Sequence, residues 1–420
     1  MIIANARIVT LDSENRVIDS GSVEILPGGV FGEVGANGRT GIDAHGRLLM
    51  PALINCHTHL YSTLARGMSL PGPPPGNFKQ ILRGLWWKLD RALNREDIYY
   101  SALIGLIDAA KNGVGMLADH HSSPNACEGS LDIIERAFRE VGLRGALCYE
   151  TSDRDDASPG YAENLRFLQR RQDGGMIGAS FGLHASFTIK DETLRACVET
   201  ANHFRAGFHL HVSEDRCDAG AVARLLKFGA LDQRTVAAHC VHVTAAEMNT
   251  LAKRRVNVVH NPQSNCNNAV GAARLRDLFQ RNVLVGLGSD GYTPRMWEEF
   301  KTAIHAQRLT SGDPRAGYSE AYAAALLNNR TIVRKAWGMD LGRIERGARA
   351  DFILVDYYPP TPLTGENLPG HALFGIANAP VDSLMVDGRW VVRERRCVNL
   401  DEQAVAEKAS AQAKALWNRL

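Results

Sequence analysis

Two histidines one residue apart, His57 and His59, follow the apolar run ALIN. In an extended strand, residues i and i+2 point to the same side, so both imidazoles can reach one ion. A later run ends in His209-x-His211-x-x-Glu214. The same alternation aligns two histidines there and sets a carboxylate one short turn beyond. His211 lies nearer the end of the run, while His209 reads equally well as a buried, hydrogen-bonded histidine. His239 falls near the end of TVAAHC, with His242 three positions on, and Asp290 ends VLVGLGSD beside Gly288 and Gly291. A single acid at a strand end is often just a helix N-cap. Four separate apolar runs that each end in His or Asp form a far more specific pattern. Three histidines and an aspartate suit Zn²⁺ or Fe²⁺ and leave a position for water. Such an ion lowers the pKa of water from 15.7 toward ~7. Glu214 could then take and return a proton.

Chemistry of this kind needs a scaffold that brings several strand ends to one rim. From residue 51 onward, apolar runs alternate with helical stretches. After ALIN come GVGMLAD (113–119), GLRGALCYE (142–150), MIGASFGLH (176–184), GFHLHVSE (207–214), TVAAHC (235–240), VNVVH (256–260) and VLVGLGSD (283–290). Continuous apolar runs are strands buried on both faces. Eight strand–helix units predict an α/β fold, a (β/α)8 TIM barrel over residues 51–344, with all strand C-termini on one face. Residues 1–50 and 345–400 read as β structure, including a hairpin around Asp387-Gly388. Neither piece is thick enough to fold alone, so the two are expected to pair as a small composite β-sandwich. Helices are expected over 318–340 and at the C-terminus, 401–420. The stretch PGPPPG (71–76) fits neither a helix interior nor an inner strand, and it is expected as a loop on the active face.

The chain of 420 residues is 45% hydrophobic and 22% charged, as soluble globular proteins are. Its 48 Lys and Arg against 46 Asp and Glu leave no basic excess for nucleic acid or an anionic membrane. No apolar run reaches transmembrane length and no signal-peptide stretch opens the chain, so the cytoplasm is the expected location. Eight cysteines without a CxxC pair are expected as free thiols.

PALINCHTH, HLHVSE, AHCVH, HNPQSN and GLGSDG, in this order, resemble the metal-dependent amidohydrolase superfamily. More narrowly, they are similar to its deaminase and chlorohydrolase (ATZ/TRZ-like) branch. The stretch over residues 81–125 resembles the SsnA-type aminohydrolases, which are associated with purine catabolism. GRIERGARADFILVD resembles that family's return to its composite β-sandwich.

The resemblance implies that His57, His59, His211 and Asp290 hold the metal. It implies that His239 polarises the reacting group, that Glu214 shuttles the proton, and that Asp290 shares with Glu214 in taking a proton from the water. Binuclear relatives use a strand-4 lysine; here strand 4 has none and Lys190 lies beyond it, so one ion is expected, zinc or else iron. The implied activity is hydrolytic deamination at an amidine-like carbon of a nitrogen heterocycle such as a purine or pterin. The alternative is a chlorohydrolase or cyclic amidohydrolase using the same activated water. His184 falls where the family places a substrate-contacting histidine. His120 and His121 are expected at the rim, and Asn265 is expected to shape the pocket. Arg66 is expected to pair with a carboxylate or ring carbonyl. Trp86 or its neighbour Trp87 is expected to stack on the ring, but not both, because adjacent helical residues diverge by roughly 100°. Apart from a small-molecule substrate, the family implies a homodimer or higher oligomer.

Overall fold

A computed structural model describes residues 1–69, 72–171 and 173–420. Pro71 of the proline-rich stretch lies outside them, and residues 72–76 are irregular and exposed. Five strands come first: β1 (Ile2–Val9), β2 (Val17–Leu26), β3 (Val30–Ala36), β4 (Ile42–Asp43) and β5 (Leu48–Pro51). The barrel strands follow: β6 (Leu53–Thr58), β7 (Val114–His121), β8 (Arg144–Tyr149), β9 (Ile177–Ala179), β10 (Phe181–Ala185), β11 (Phe208–Val212), β12 (Val236–His239), β13 (Asn257–His260) and β14 (Leu284–Leu287). Four strands end the series: β15 (Phe352–Val355), β16 (Val381–Val386), β17 (Arg389–Arg393) and β18 (Arg396–Cys397).

The eight expected barrel runs are all present, with one difference. Strand 4 is broken at Ser180, so that β9 pairs with β8 and β10 pairs with β11. The break divides the barrel into a four-stranded and a five-stranded parallel sheet. Two bridges join them into a closed ring, Thr151 with Leu183 and Thr58 with Asp290. The second seam runs through the candidate site. Ser289 N donates to His57 O at 2.9 Å, and His59 N donates to Asp290 O at 3.1 Å. Asn329 stitches the same seam from behind, donating to Ile54 O at 2.7 Å and Leu287 O at 3.0 Å. Gly288 is required there, because a Cβ would lie 2.6 Å from Asn261 Oδ1 and 2.7 Å from His57 O.

The helix expected over 318–340 runs from Tyr318 to Trp337 with a π-helical middle turn, and Gly338 stops it in the left-handed conformation. Its Ile332, Val333 and Trp337 join Ile54, Met116, Val236 and Val259 in one buried cluster. The terminal β pieces unite in a nine-stranded sheet, with β5 antiparallel to β15. That sheet folds back on itself: Phe31 N on β3 donates to Ala348 O, just ahead of β15, at 2.8 Å. The Asp387-Gly388 hairpin turn has positive φ at both residues, as a type I′ turn requires. Buried Arg144 links barrel and sheet through Asp351 and Asp387, each at 2.6 Å. All eight cysteines are free. No helix is long and apolar enough to cross a membrane among the described residues.

Candidate metal centre and active-site pocket

The expected ligands meet where the barrel strands end. His57, His59, His211 and Asp290 each offer a donor atom, all within 4.8 Å of one another. Asp290 Oδ1 lies 3.3 Å from His57 Nε2 and 2.9 Å from His59 Nε2, and the latter lies 3.1 Å from His211 Nε2. Each ring is fixed from behind through Nδ1. His59 donates to His120 O at 2.6 Å and His211 donates to His184 O at 2.9 Å. His57 Nδ1 meets His209 Nε2 at 2.8 Å. Histidine ligands are oriented in this way when the second nitrogen is hydrogen-bonded and Nε2 is left for a metal. His57 Nε2 is buried with no hydrogen-bond partner, as befits a nitrogen kept for a cation. His209 is therefore the buried, hydrogen-bonded histidine of the two alternatives.

Charge in the cluster follows from burial and Asp290. Burial holds His57 down at about 3, so it is neutral and free to ligate. Burial also opposes a charge on His59, yet Asp290 lifts it to about 9, marking a place that favours a cation. Burial works to raise Asp290, but the close contacts of His57 and His59 outweigh this and hold it well below the carboxylate range. Glu214 is pushed well above that range by burial and by the Asp290 charge. It sits beside the ligands as a carboxyl poised to hold a proton, with Oε2 3.5 Å from His239 Nε2. The chain turns through the left-handed region at Ser213, His239, Cys240 and Asp290 as strands give way to loops. Such backbone is costly outside glycine and gathers at functional sites.

A pocket opens directly above. Its wall includes His59, His211, Glu214 and Asp290, together with His184, Trp86, Trp87, Asp90, Glu150 and Arg154. Both tryptophans line it, where only one was expected. The turn Leu82–Trp86 is π-helical, so successive side chains diverge less than on an α-helix.

Four expected contacts lie elsewhere. Arg66 is half-exposed and pairs with Asp108 at 3.0 Å, on a surface outside the pocket. His121 is fully buried and bonds Ser123 Oγ at 2.8 Å, with its ring against Tyr61 and Tyr149. His120 is also fully buried and anchors to Leu183 O and His209 O at 3.1 Å. Both rings are fixed in the barrel, because β7 runs on through His121 instead of ending before the pair. Asn265 lies behind His239, with its Nδ2 2.8 Å from His239 Nδ1.

Asp90, Glu150 and Arg154 are functional candidates that the sequence does not single out. Arg154 meets Asp90 Oδ2 at 3.1 Å and Glu150 Oε1 at 2.6 Å, with its guanidinium over the Trp87 ring. No local spacing marks these three. Glu150 ends the third barrel run, and that position was the only hint.

Comparisons with known proteins bear on the family and the fold. The chain matches the amidohydrolase family over residues 48–391. It is 30% identical over 422 residues to a 5-methylthioadenosine/S-adenosylhomocysteine deaminase of Desulforudis audaxviator, covering 96% of this chain and 93% of that one. It is 32% identical over 423 residues to a 5'-deoxyadenosine deaminase of Methanothermobacter thermautotrophicus, with the same coverage of 96% and 93%. In fold it is similar to an adenosine deaminase from Xanthomonas campestris with bound zinc, at TM-score 0.86 and 21% identity, covering 100% of this chain and 98% of that one. It is also similar to the zinc complex of the atrazine chlorohydrolase TrzN from Arthrobacter aurescens, at TM-score 0.83 and 20% identity, covering 99% of each. With a barrel of eight strands, a satellite sheet and a family match over most of its length, the chain belongs to the amidohydrolase family.

Proposed function

We propose that the protein is a mononuclear, zinc-dependent hydrolytic deaminase of an adenine-type ring. The observation that carries this reading is Glu214, a largely buried carboxyl, 12% exposed, that stands outside the four-ligand set and lines the pocket beside it. A metal store has no use for such an acid. An ion held by His57, His59, His211 and Asp290 would supply water activated toward a pKa of ~7. Glu214 takes a proton from the attacking water and delivers it to the ring nitrogen beside the amidine carbon. His239 turns Nε2 toward the oxygen being added at that carbon and stabilises the charge that develops on it. A C–O bond forms, Asp290 takes the remaining proton of the new hydroxyl and that proton passes to the amino nitrogen, the C–N bond breaks, and ammonia leaves as the C=O bond closes.

The pocket wall supports a flat heterocycle. Trp86 and Trp87 offer ring faces. The Thr188 hydroxyl donates to Ala185 O at 2.9 Å, so it accepts from His184 Nδ1 at 2.6 Å. His184 Nε2 is then an acceptor for an O–H or amino N–H of the substrate, and burial keeps this imidazole neutral, down at about 3. Asp90 Oδ1 is buried without a partner and can accept from an N–H or O–H on the ring's substituent. The two similar deaminases act, by their names, on adenine nucleosides.

The test is ammonia release by zinc-loaded protein from 5'-deoxyadenosine, 5'-methylthioadenosine, and aminated pterins, pyrimidines and triazines. Ammonia from an adenine nucleoside is the expected result. Chloride from a chlorotriazine, or opening of a cyclic amide, without ammonia from any amine would replace this reading with the alternative.

A further inference from the structure

One short helix, Pro262–Asn267, with the residue that follows it, touches all three groups assigned to the reaction, Glu214, His239 and Asp290. Ser264 Oγ donates to Asp290 Oδ2. Asn268 Nδ2, just past the helix end, donates to Glu214 Oε1 at 3.4 Å. Asn265 Nδ2 donates to His239 Nδ1 at 2.8 Å, with Asn261 Nδ2 behind it at 3.4 Å. Ser264 and Asn268 are four apart and share a face, while Asn265 stands about 100° round. The helix is itself anchored: Gln263 N donates to Glu299, which is fully buried on the helix Met296–Ser311.

We propose that this helix is the positioning element of the proton relay and that Asn265 fixes the tautomer of His239. The inference rests on the deaminase reading for its meaning, though not for its geometry. A ring that accepts an amide N–H at Nδ1 carries its own proton on Nε2. His239 Nε2 has no hydrogen-bond partner, is fully buried and faces Glu214 Oε2 at 3.5 Å. Asn265 thus makes His239 a donor toward the reacting carbon. Without it the ring could turn over or take the other tautomer, and an acceptor would then face the developing negative charge. Asn265 is a positioning residue, because its amide touches only His239 among the assigned groups.

Two readouts test this. In histidine-labelled protein, ¹⁵N shifts report the tautomer whether or not the enzyme turns over. The His239 resonances, assigned by their loss in His239→Gln, should show Nε2–H in the parent. In Asn265→Asp, which keeps the shape but offers only acceptors, they should show a proton on Nδ1. An Nδ1–H tautomer in the parent would overturn the proposal. The second readout is a double-mutant cycle on the zinc-loaded enzyme. Asn265→Ala should lower kcat by about 10–100-fold, the usual cost of losing such a supporting bond. KM, zinc content and Tm should stay near the parent values. In a His239→Ala background the same change should cost nothing further, because the two residues act as one unit. Equal losses in both backgrounds would show that Asn265 acts by another route and would sink the idea. A parent that releases no ammonia would refute the deaminase reading, with the ¹⁵N result still deciding the tautomer.

Discussion

Asp290 is a buried carboxylate and Glu214 a largely buried one, both just past strand ends, yet their surroundings drive them apart. Asp290 receives two histidine contacts and stays charged, whereas Glu214 faces that charge and tends to hold a proton. Pairs pushed apart in this way divide the acid and anion roles between them. Glu214→Gln keeps the shape and removes the proton carrier. It should lower kcat by about 10²–10⁴-fold, as loss of a general acid–base does. Zinc content, read by elemental analysis, should be unchanged. At this level the sequence was legible where spacing carries chemistry. His57-x-His59 follows from strand alternation and Glu214 from its place one short turn past His211, and the structure brings them together. Arg66 and Asn265 had no such constraint, since a lone Arg or Asn is readable only once its neighbours are known. Glu150 and Arg154 are four residues apart on a stretch with no regular pattern, and Asp90, 64 residues before Arg154, meets them only once the chain is folded.

The seam between β14 and β6 sets the position of Asp290. Gly288 lies so close to Asn261 and the His57 carbonyl that a methyl group has no room. Gly288→Ala should cost about 1–3 kcal/mol by overpacking. It should also lower kcat by about 10²-fold through a shift of the acid at the site. Denaturant unfolding and steady-state rates would check the two effects separately. At the neighbouring end of β7, Asp119 accepts Leu60 N at 2.7 Å and anchors the turn after His59. Burial raises this carboxyl to about 7. Its unfolded value is ~3.9, so between these limits the folded state binds more protons and stability falls as pH rises. The parent should lose stability relative to Asp119→Asn from about pH 4 to pH 7, by at most about 1.4 kcal/mol for each pH unit crossed. A difference between the two proteins that stays flat with pH would show that Asp119 is ionised throughout. The strands were readable from their apolar runs because most are buried on both faces. The break at Ser180 was not, because the run is apolar on both sides of it and only the change of partner reveals it.

Chain ends separated by about three hundred residues form one sheet, and that sheet is coupled to the barrel. Arg144 is nearly fully buried and bridges β8 to Asp351 and to the Asp387 turn. Removing one partner of such a group leaves buried charge unpaired and costs about 3–5 kcal/mol. Arg144→Ala should therefore lower the unfolding midpoint strongly while sparing the pocket, which it does not line. That the two thin β pieces must pair was legible from their size alone. The strand order was not, since short antiparallel strands can pair in many ways. The central claim is that one ion, held by His57, His59, His211 and Asp290, drives hydrolysis of a C–N bond. The most direct measurement titrates metal-stripped protein with zinc while following ammonia release from 5'-deoxyadenosine or whichever amine proves best. The account predicts no release without metal and a linear rise that saturates at one zinc per chain. Saturation at two, or release that ignores zinc, would contradict it.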